Sequence, residues 1–308
     1  MTAPAHLPPQ MPHQPPAHPG PPHAVSGYAS PIPVVRTHLG HAIASEWTKI
    51  KSVRSTVWTL VLMFVITVGV GLLLAVALSS DDYVGWPLLS GGFFGVMFGQ
   101  LCIMTLGVLV MSSEYTTGGI RTTLTACPHR GRVLLAKTIV LFSLAFVMTL
   151  VATSLTALIH SSLLGDQDVP VYAAQDPLME DSIENGELVA TAGHWMGATL
   201  GASLYVSLLG VLGLSLGALI RHSAGAITTV IGLVLLPLLA AMFMMGESLE
   251  SLRDTLIEFS LLNGLATLFR LPMEGDESAT GWPLLAMLAG VTVGALVAAY
   301  ARLTSTDA

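Results

Sequence analysis

The chain has 308 residues, 53% of them hydrophobic and only 10% charged, with a mean hydropathy of +0.72. A soluble domain carries roughly a quarter of its residues as charges, so the net charge of −7 belongs to loops between apolar stretches. It gives no ground for a nucleic-acid or acidic-substrate partner. The two cysteines, Cys102 and Cys127, exclude a disulfide framework and read as small packing residues.

Residues 1–35 hold 11 of the 18 prolines together with His6, His13, His18 and His23, and no charged side chain precedes Arg36. Such a segment cannot bury enough apolar surface to offset its ordering entropy, which predicts a disordered, partly polyproline-II tail on the cytoplasmic side. It lacks the basic start and apolar core of a signal peptide. Its histidines are irregularly spaced and without cysteine, so they read as solvated rather than as metal ligands.

Residues 36–56 change character. Leu39, Ala42, Ile43, Trp47, Ile50 and Val53 recur at three- and four-residue steps, with Glu46, Lys49, Lys51 and Arg54 mostly elsewhere around the helix. This predicts an interfacial amphipathic helix with Trp47 at headgroup depth and the basic residues facing anionic lipid. His38 and His41 share a face, but a pair with no third ligand reads as interfacial, and no metal site is expected.

Six stretches then meet the requirement for crossing a bilayer: about 57–78, 88–111, 133–161, 195–220, 224–245 and 282–302. The first has no ionisable residue over 22 positions, roughly 33 Å of helix at about 1.5 Å per residue. Runs of this length without period-2 alternation choose helices. Ten of the 12 basic residues fall before the first span, after the second, after the fourth or at the end of the sixth, and 16 of the 19 acids fall in the other loops. By the positive-inside rule both termini are cytoplasmic. The expected fold class is an all-α polytopic protein of the plasma membrane.

Within the spans, Gly91/Gly95/Gly99, Gly197/Gly201, Gly213/Gly217 and Gly290/Gly294 stand at four-residue steps, a spacing that permits close helix approach. Gln100 reads as an interhelical hydrogen-bonding group, and His160 is the one residue resembling an intramembrane relay. That scarcity of buried charge makes a secondary transporter the weaker reading. No H-E-x-x-H and no paired carboxylates at membrane depth point to an enzyme.

Between spans two and three, the segment Ser112–Lys137 reads as an extension of the second helix that stops at Gly118-Gly119, a short helix over 120–126, a stop at Pro128 and a basic run. Glu114 either pairs with Arg121 across the glycine turn or accepts helix N-terminal amides. Between spans five and six, residues 248–271 place Leu249, Leu252, Leu256, Phe259, Leu262, Leu265 and Phe269 among polar residues, which predicts an amphipathic helix on the outer surface.

The residues Glu114-Tyr115, Gly118, Ile120-Arg121, Thr123-Leu124, Pro128, Arg130 and Lys137, followed directly by a span, resemble the first cytoplasmic loop of type-2 ABC exporter permeases. The run Ser45-Glu46-Trp47-Thr48-Lys49-Ile50-Lys51-Ser52-Val53-Arg54 is similar to their N-terminal interfacial helix. The resemblance covers roughly residues 36–302. It implies a six-helix permease domain over 57–302 that dimerises with itself or a similar permease. It also implies an ATPase-coupling loop formed by Glu114, Tyr115, Gly118, Gly119, Ile120, Arg121, Leu124, Pro128 and Arg130, on which a separate ABC ATPase docks. No Gly-x-x-x-x-Gly-Lys-Ser/Thr stretch is present, so ATP and Mg are expected in the partner and no cofactor in this chain. The alternative is a secondary transporter or a membrane-anchored regulatory protein without an ATPase. The tail 1–35 and the acidic loop 164–194 inherit no role, and the apolar spans suggest an amphipathic or lipophilic cargo.

Overall fold

A computed structural model describes residues 38–80, 85–127, 129–165, 167–172, 175–274 and 280–305. The expectations for the tail 1–35, for Asp81 and Asp82, for Asp166 and for Pro128 lie outside the described residues.

Helix α1, Leu39–Ser52, ends where Val53 adopts an extended backbone (φ −88°, ψ 105°), and α2, Arg54–Leu78, starts at the next residue. The predicted single run 36–56 is therefore two pieces, and its last turn belongs to the first span. Helix α3 covers Gly92–Thr116. It begins later than predicted because Pro87 opens a turn, in which Ser90 N–H donates to the Pro87 carbonyl at 2.9 Å, and it runs farther at its other end. The short helix α4, Gly119–Ala126, precedes α5, Arg130–Leu164.

The acidic segment after α5 contains a two-stranded ribbon, β1 Ile183–Glu184 and β2 Glu187–Leu188. Its turn, Asn185-Gly186, has positive φ at both residues (57° and 87°), the backbone that Asn-Gly adopts most easily in a tight hairpin. Met179 and Leu188 bury their side chains, so part of this loop adds to the core.

Helix α6 spans Ala192–Ile220, with a π turn over Gly197–Gly201. Helix α7, Ser223–Phe243, continues through Pro237. Next come α8, Glu250–Glu258, α9, Leu261–Leu268, and α10, Trp282–Ser305. The six helices α2, α3, α5, α6, α7 and α10 are long and apolar enough to cross a membrane.

Helix α6 is the axis of the bundle. Its apolar window is 72% buried against 22% for α7 and α10, and α3, α5, α7 and α10 all pack on it. Lipid tails are as apolar as leucine, so contact between spans rests on close fit. Gly107 of α3 lies directly against the Gly210 carbonyl of α6, and a Cβ on Gly213 or Gly217 would meet the Met104 or Val108 carbonyl at 2.7 Å. The expected close approach at Gly290 and Gly294 is not found among the described residues, none of which lies within 4 Å of a Cβ at either position. His160 is a core histidine, its Nε2 bonding the Gly71 carbonyl at 3.0 Å. Gln100 is buried, but its Oε1 has no hydrogen-bond partner among the described residues.

The single amphipathic helix predicted over 248–271 is broken. Ser260 turns extended, and its hydroxyl accepts from Asn263 N–H at 3.1 Å, an N-cap that ends α8 and starts α9. Helix α8 buries no residue, whereas seven of the eight residues of α9 are buried, so the apolar stripe divides between a surface helix and a core helix.

Candidate functional site

The bundle end that carries α4 gathers most of the basic residues, and two of its lysines are held by acids. Lys137 lies seven residues into α5, about 10 Å along its axis. It has only 1% of its side chain exposed. Its Nζ donates to Glu46 Oε2 of α1 at 2.7 Å and to Glu114 Oε1 of α3 at 2.6 Å. Lys49 donates to Glu46 Oε1 at 2.8 Å and Glu114 Oε1 at 2.9 Å, and reaches Thr123 Oγ1 of α4 at 3.4 Å. Two lysines thus each bridge the same two glutamates, closing a four-charge box of zero net charge across α1, α3 and α5, with a contact to α4.

Such a box is costly to desolvate and is tolerated only when its geometry is this complete. Burial pulls the Lys49 pKa down, but hydrogen bonds and charge from Glu46 and Glu114 outweigh that and hold it above the usual 10.5. The ammonium is therefore charged at any physiological pH. Within the box Glu46 uses both oxygens, whereas Glu114 uses one; its Oε2 is buried with no hydrogen-bond partner among the described residues.

Around this box the other expected loop residues take distinct places. Gly118 stands at the N-cap of α4 with φ 73°, a left-handed backbone that costs a side-chain-bearing residue roughly 1–2 kcal/mol. Gly119 is the first residue of α4. Ile120 is buried at 4% exposure, Leu124 packs against the core, and Arg121 is exposed. Arg130 Nη1 donates to the Leu303 carbonyl at 2.7 Å, tying the start of α5 to the last turn of α10. The Tyr115 ring lies under the Arg221 guanidinium, 5.0 Å from its centroid. Ser112 and Ser223 hydroxyls are 2.9 Å apart, so the turn between α6 and α7 is fastened to the same end.

Both openings foreseen for Glu114, a pair with Arg121 or a bond to helix amides, give way to the two lysines. The N-terminal helix is corrected likewise. Glu46 and Lys49 face the protein, while Trp47, Lys51 and Arg54 are exposed. The sequence places Lys137 at the end of the basic run and Thr123 in the loop, but assigns no partner to either, nor to Arg221. The available signal was a lone lysine one turn beyond a basic run, inside an otherwise uncharged span. The rings of His38 and His41 stack at 3.8 Å.

Residues 42–179 match the family described as ABC-2 family transporter protein, a stretch running from α1 through α5 into the ribbon loop. No curated protein matches the chain. Six spanning helices make the chain a multi-pass membrane protein, and the match over residues 42–179 supports an ABC-2-type permease subunit. That class implies an ABC ATPase as partner in general.

Proposed function

We propose that the chain is the membrane half of an ATP-driven exporter of the plasma membrane, with both termini in the cytoplasm. It works as a dimer with itself or a similar permease. A separate ABC ATPase docks on α4 and supplies the ATP and Mg site, since the sequence holds no phosphate-binding motif. In this reading the chain does no catalysis. It converts a push on α4 into a movement of packed spans that releases an amphipathic or lipophilic cargo outward.

The observation that carries this reading is the four-charge box. A coupling element must be short, held at both ends and unable to yield independently of the spans. Glu114 and Lys137 sit on the helices flanking α4 and pair at 2.6 Å, and Glu46 and Lys49 join α1 to them at 2.7 and 2.9 Å. Displacing α4 thus displaces α1, α3 and α5 together. Arg121, exposed on α4, remains available to the ATPase.

The test is co-reconstitution in liposomes with the ATPase. Arg121→Glu, and Gly118→Pro, whose ring cannot adopt φ 73°, should still insert but lose transport and cargo-stimulated ATP hydrolysis. Gly119→Pro should cost less, because proline is tolerated at the first helical position. Normal transport and an unchanged ATPase response in Arg121→Glu and Gly118→Pro would leave the loop without a coupling role.

A further inference from the structure

The cations at the α4 end of the bundle divide into two groups. Lys49 and Lys137 are held in the box, Arg130 bonds the Leu303 carbonyl and Arg221 lies over Tyr115. Lys51 and Arg54, by contrast, are exposed and make no ion pair among the described residues. Glu46 lies on the same helix as Lys51 but does not serve it, because both of its oxygens are taken by the box. The two free cations stand on either side of the extended residue Val53, Lys51 in the last turn of α1 and Arg54 as the first residue of α2. Three residues of chain span at most about 11 Å between Cα atoms, so two side chains of this length can close on a single anion.

The residues that share this face decide what carries the anion. Trp47 precedes Lys51 by four positions and Trp58 follows Arg54 by four, so each indole lies on the same helical face as its cation. Both are exposed, Trp58 to 71%. Beyond Trp58 the face continues down α2 as Val61, Leu62 and Val65, all exposed, on a span whose apolar window is only 28% buried. Trp58 lies about 6 Å along the helix from Arg54. Charge, then an amphipathic ring, then hydrocarbon is the order in which a bilayer leaflet presents its own groups. A free phosphate would match the cations alone, and a soluble acidic protein has nothing to lay on the apolar stripe. A zwitterionic lipid brings a cation of its own to a corner that already has two.

We propose that the α1–α2 corner binds an anionic phospholipid of the leaflet at the α4 end, with its phosphate between Lys51 and Arg54, its glycerol region against Trp58 and one acyl chain along Val61, Leu62 and Val65. The site goes beyond the exporter reading and is occupied without the ATPase.

The experiment uses the full chain in phosphatidylcholine vesicles, with Trp86, Trp195 and Trp282 replaced by phenylalanine so that Trp47 and Trp58 alone report. Bromine on an acyl chain quenches an indole that it touches, and quenching by brominated phosphatidylglycerol is compared with quenching by brominated phosphatidylcholine at equal mole fraction. The anionic lipid should be preferred about fivefold for each cation, the equivalent of about 1 kcal/mol per basic residue at an anionic surface. Lys51→Gln and Arg54→Gln should each lower the preference about fivefold, the double variant should remove it, and Lys51→Arg should keep it. Quenching by brominated phosphatidylcholine alone, unchanged in every variant, shows that the corner still faces lipid. Arg302→Gln, exposed at the end of α10, should leave the preference unchanged, and inorganic phosphate should not displace the lipid. Equal quenching by the two lipids, a preference that survives loss of both cations, or displacement by phosphate would overturn the proposal. So would an equal loss in Arg302→Gln, which would mean a diffuse field and not a site.

Discussion

The two ends of the bundle solve the same problem in opposite ways. At the end carrying α4, charges are turned inward and pair at 2.6 to 2.9 Å, with Lys137 wholly enclosed. At the far end Arg253 pairs with its neighbour Asp254 on exposed α8, and Arg270, its side chain 18% exposed, lies 3.9 Å from Asp181. Neutral groups add to the order there. Asn263 donates to the Glu258 and Glu274 carbonyls at 2.9 and 3.2 Å and accepts from Met273 N–H at 2.8 Å. The difference teaches that the sorting of basic residues to one end serves more than orientation in a membrane. A few of them lock helices together, and two of the three acids that break the sorting rule, Glu46 and Glu114, are the ones they lock.

The sharpest way to break that contrast is Lys137→Met, which leaves Glu46 and Glu114 facing one remaining lysine. It should destabilise the detergent-solubilised protein by about 3–5 kcal/mol, the cost of an uncompensated buried charge, read from thermal unfolding. Adding Glu46→Gln should restore part of the loss, as coupled partners do; strictly additive losses would mean the box is not a unit. At the far end Asn263→Ala removes three partly buried hydrogen bonds and should cost about 1–3 kcal/mol. Arg253→Gln, on the surface, should leave the unfolding midpoint unmoved.

The smallest effect is the response to alkali. Because the Lys49 pKa is raised in the folded chain, its contribution is fully present below the unfolded value and is lost only as pH rises through the higher folded one. Stability should therefore hold to the usual 10.5 and fall above it, and Lys49→Met should flatten that fall. A loss of the same size between neutral pH and 9, well below any lysine titration, would mean another group controls it.

Much of this was legible along the chain because it is local. Spans announce themselves by length and lack of charge, and Gly118-Gly119 and the helix after it follow from backbone chemistry. The match to 42–179 agrees with the resemblance drawn from the loop residues. What sequence could not show is which charge faces which: Glu46, Glu114 and Lys137 are separated by 23 to 91 positions and meet only after α1, α3 and α5 pack. Gly290 and Gly294 carry the same spacing as glycines in close contacts yet meet nothing among the described residues, since spacing permits an approach without naming a neighbour. The Asn185-Gly186 turn and the Ser260 cap are local signals that composition and the apolar stripe alone do not weigh.

Which end meets the ATPase is the point on which the function turns. In protein freed of Cys102 and Cys127, Thr122→Cys on α4 and Glu184→Cys on the ribbon, both exposed, carry a photoactivatable cross-linker into membranes containing the ATPase, and adducts are identified by peptide mass spectrometry. Thr122→Cys should yield a covalent adduct with an ABC ATPase and Glu184→Cys none. An ATPase adduct from Glu184→Cys, or none from Thr122→Cys while the complex is intact, would contradict the assignment of α4 as the dock.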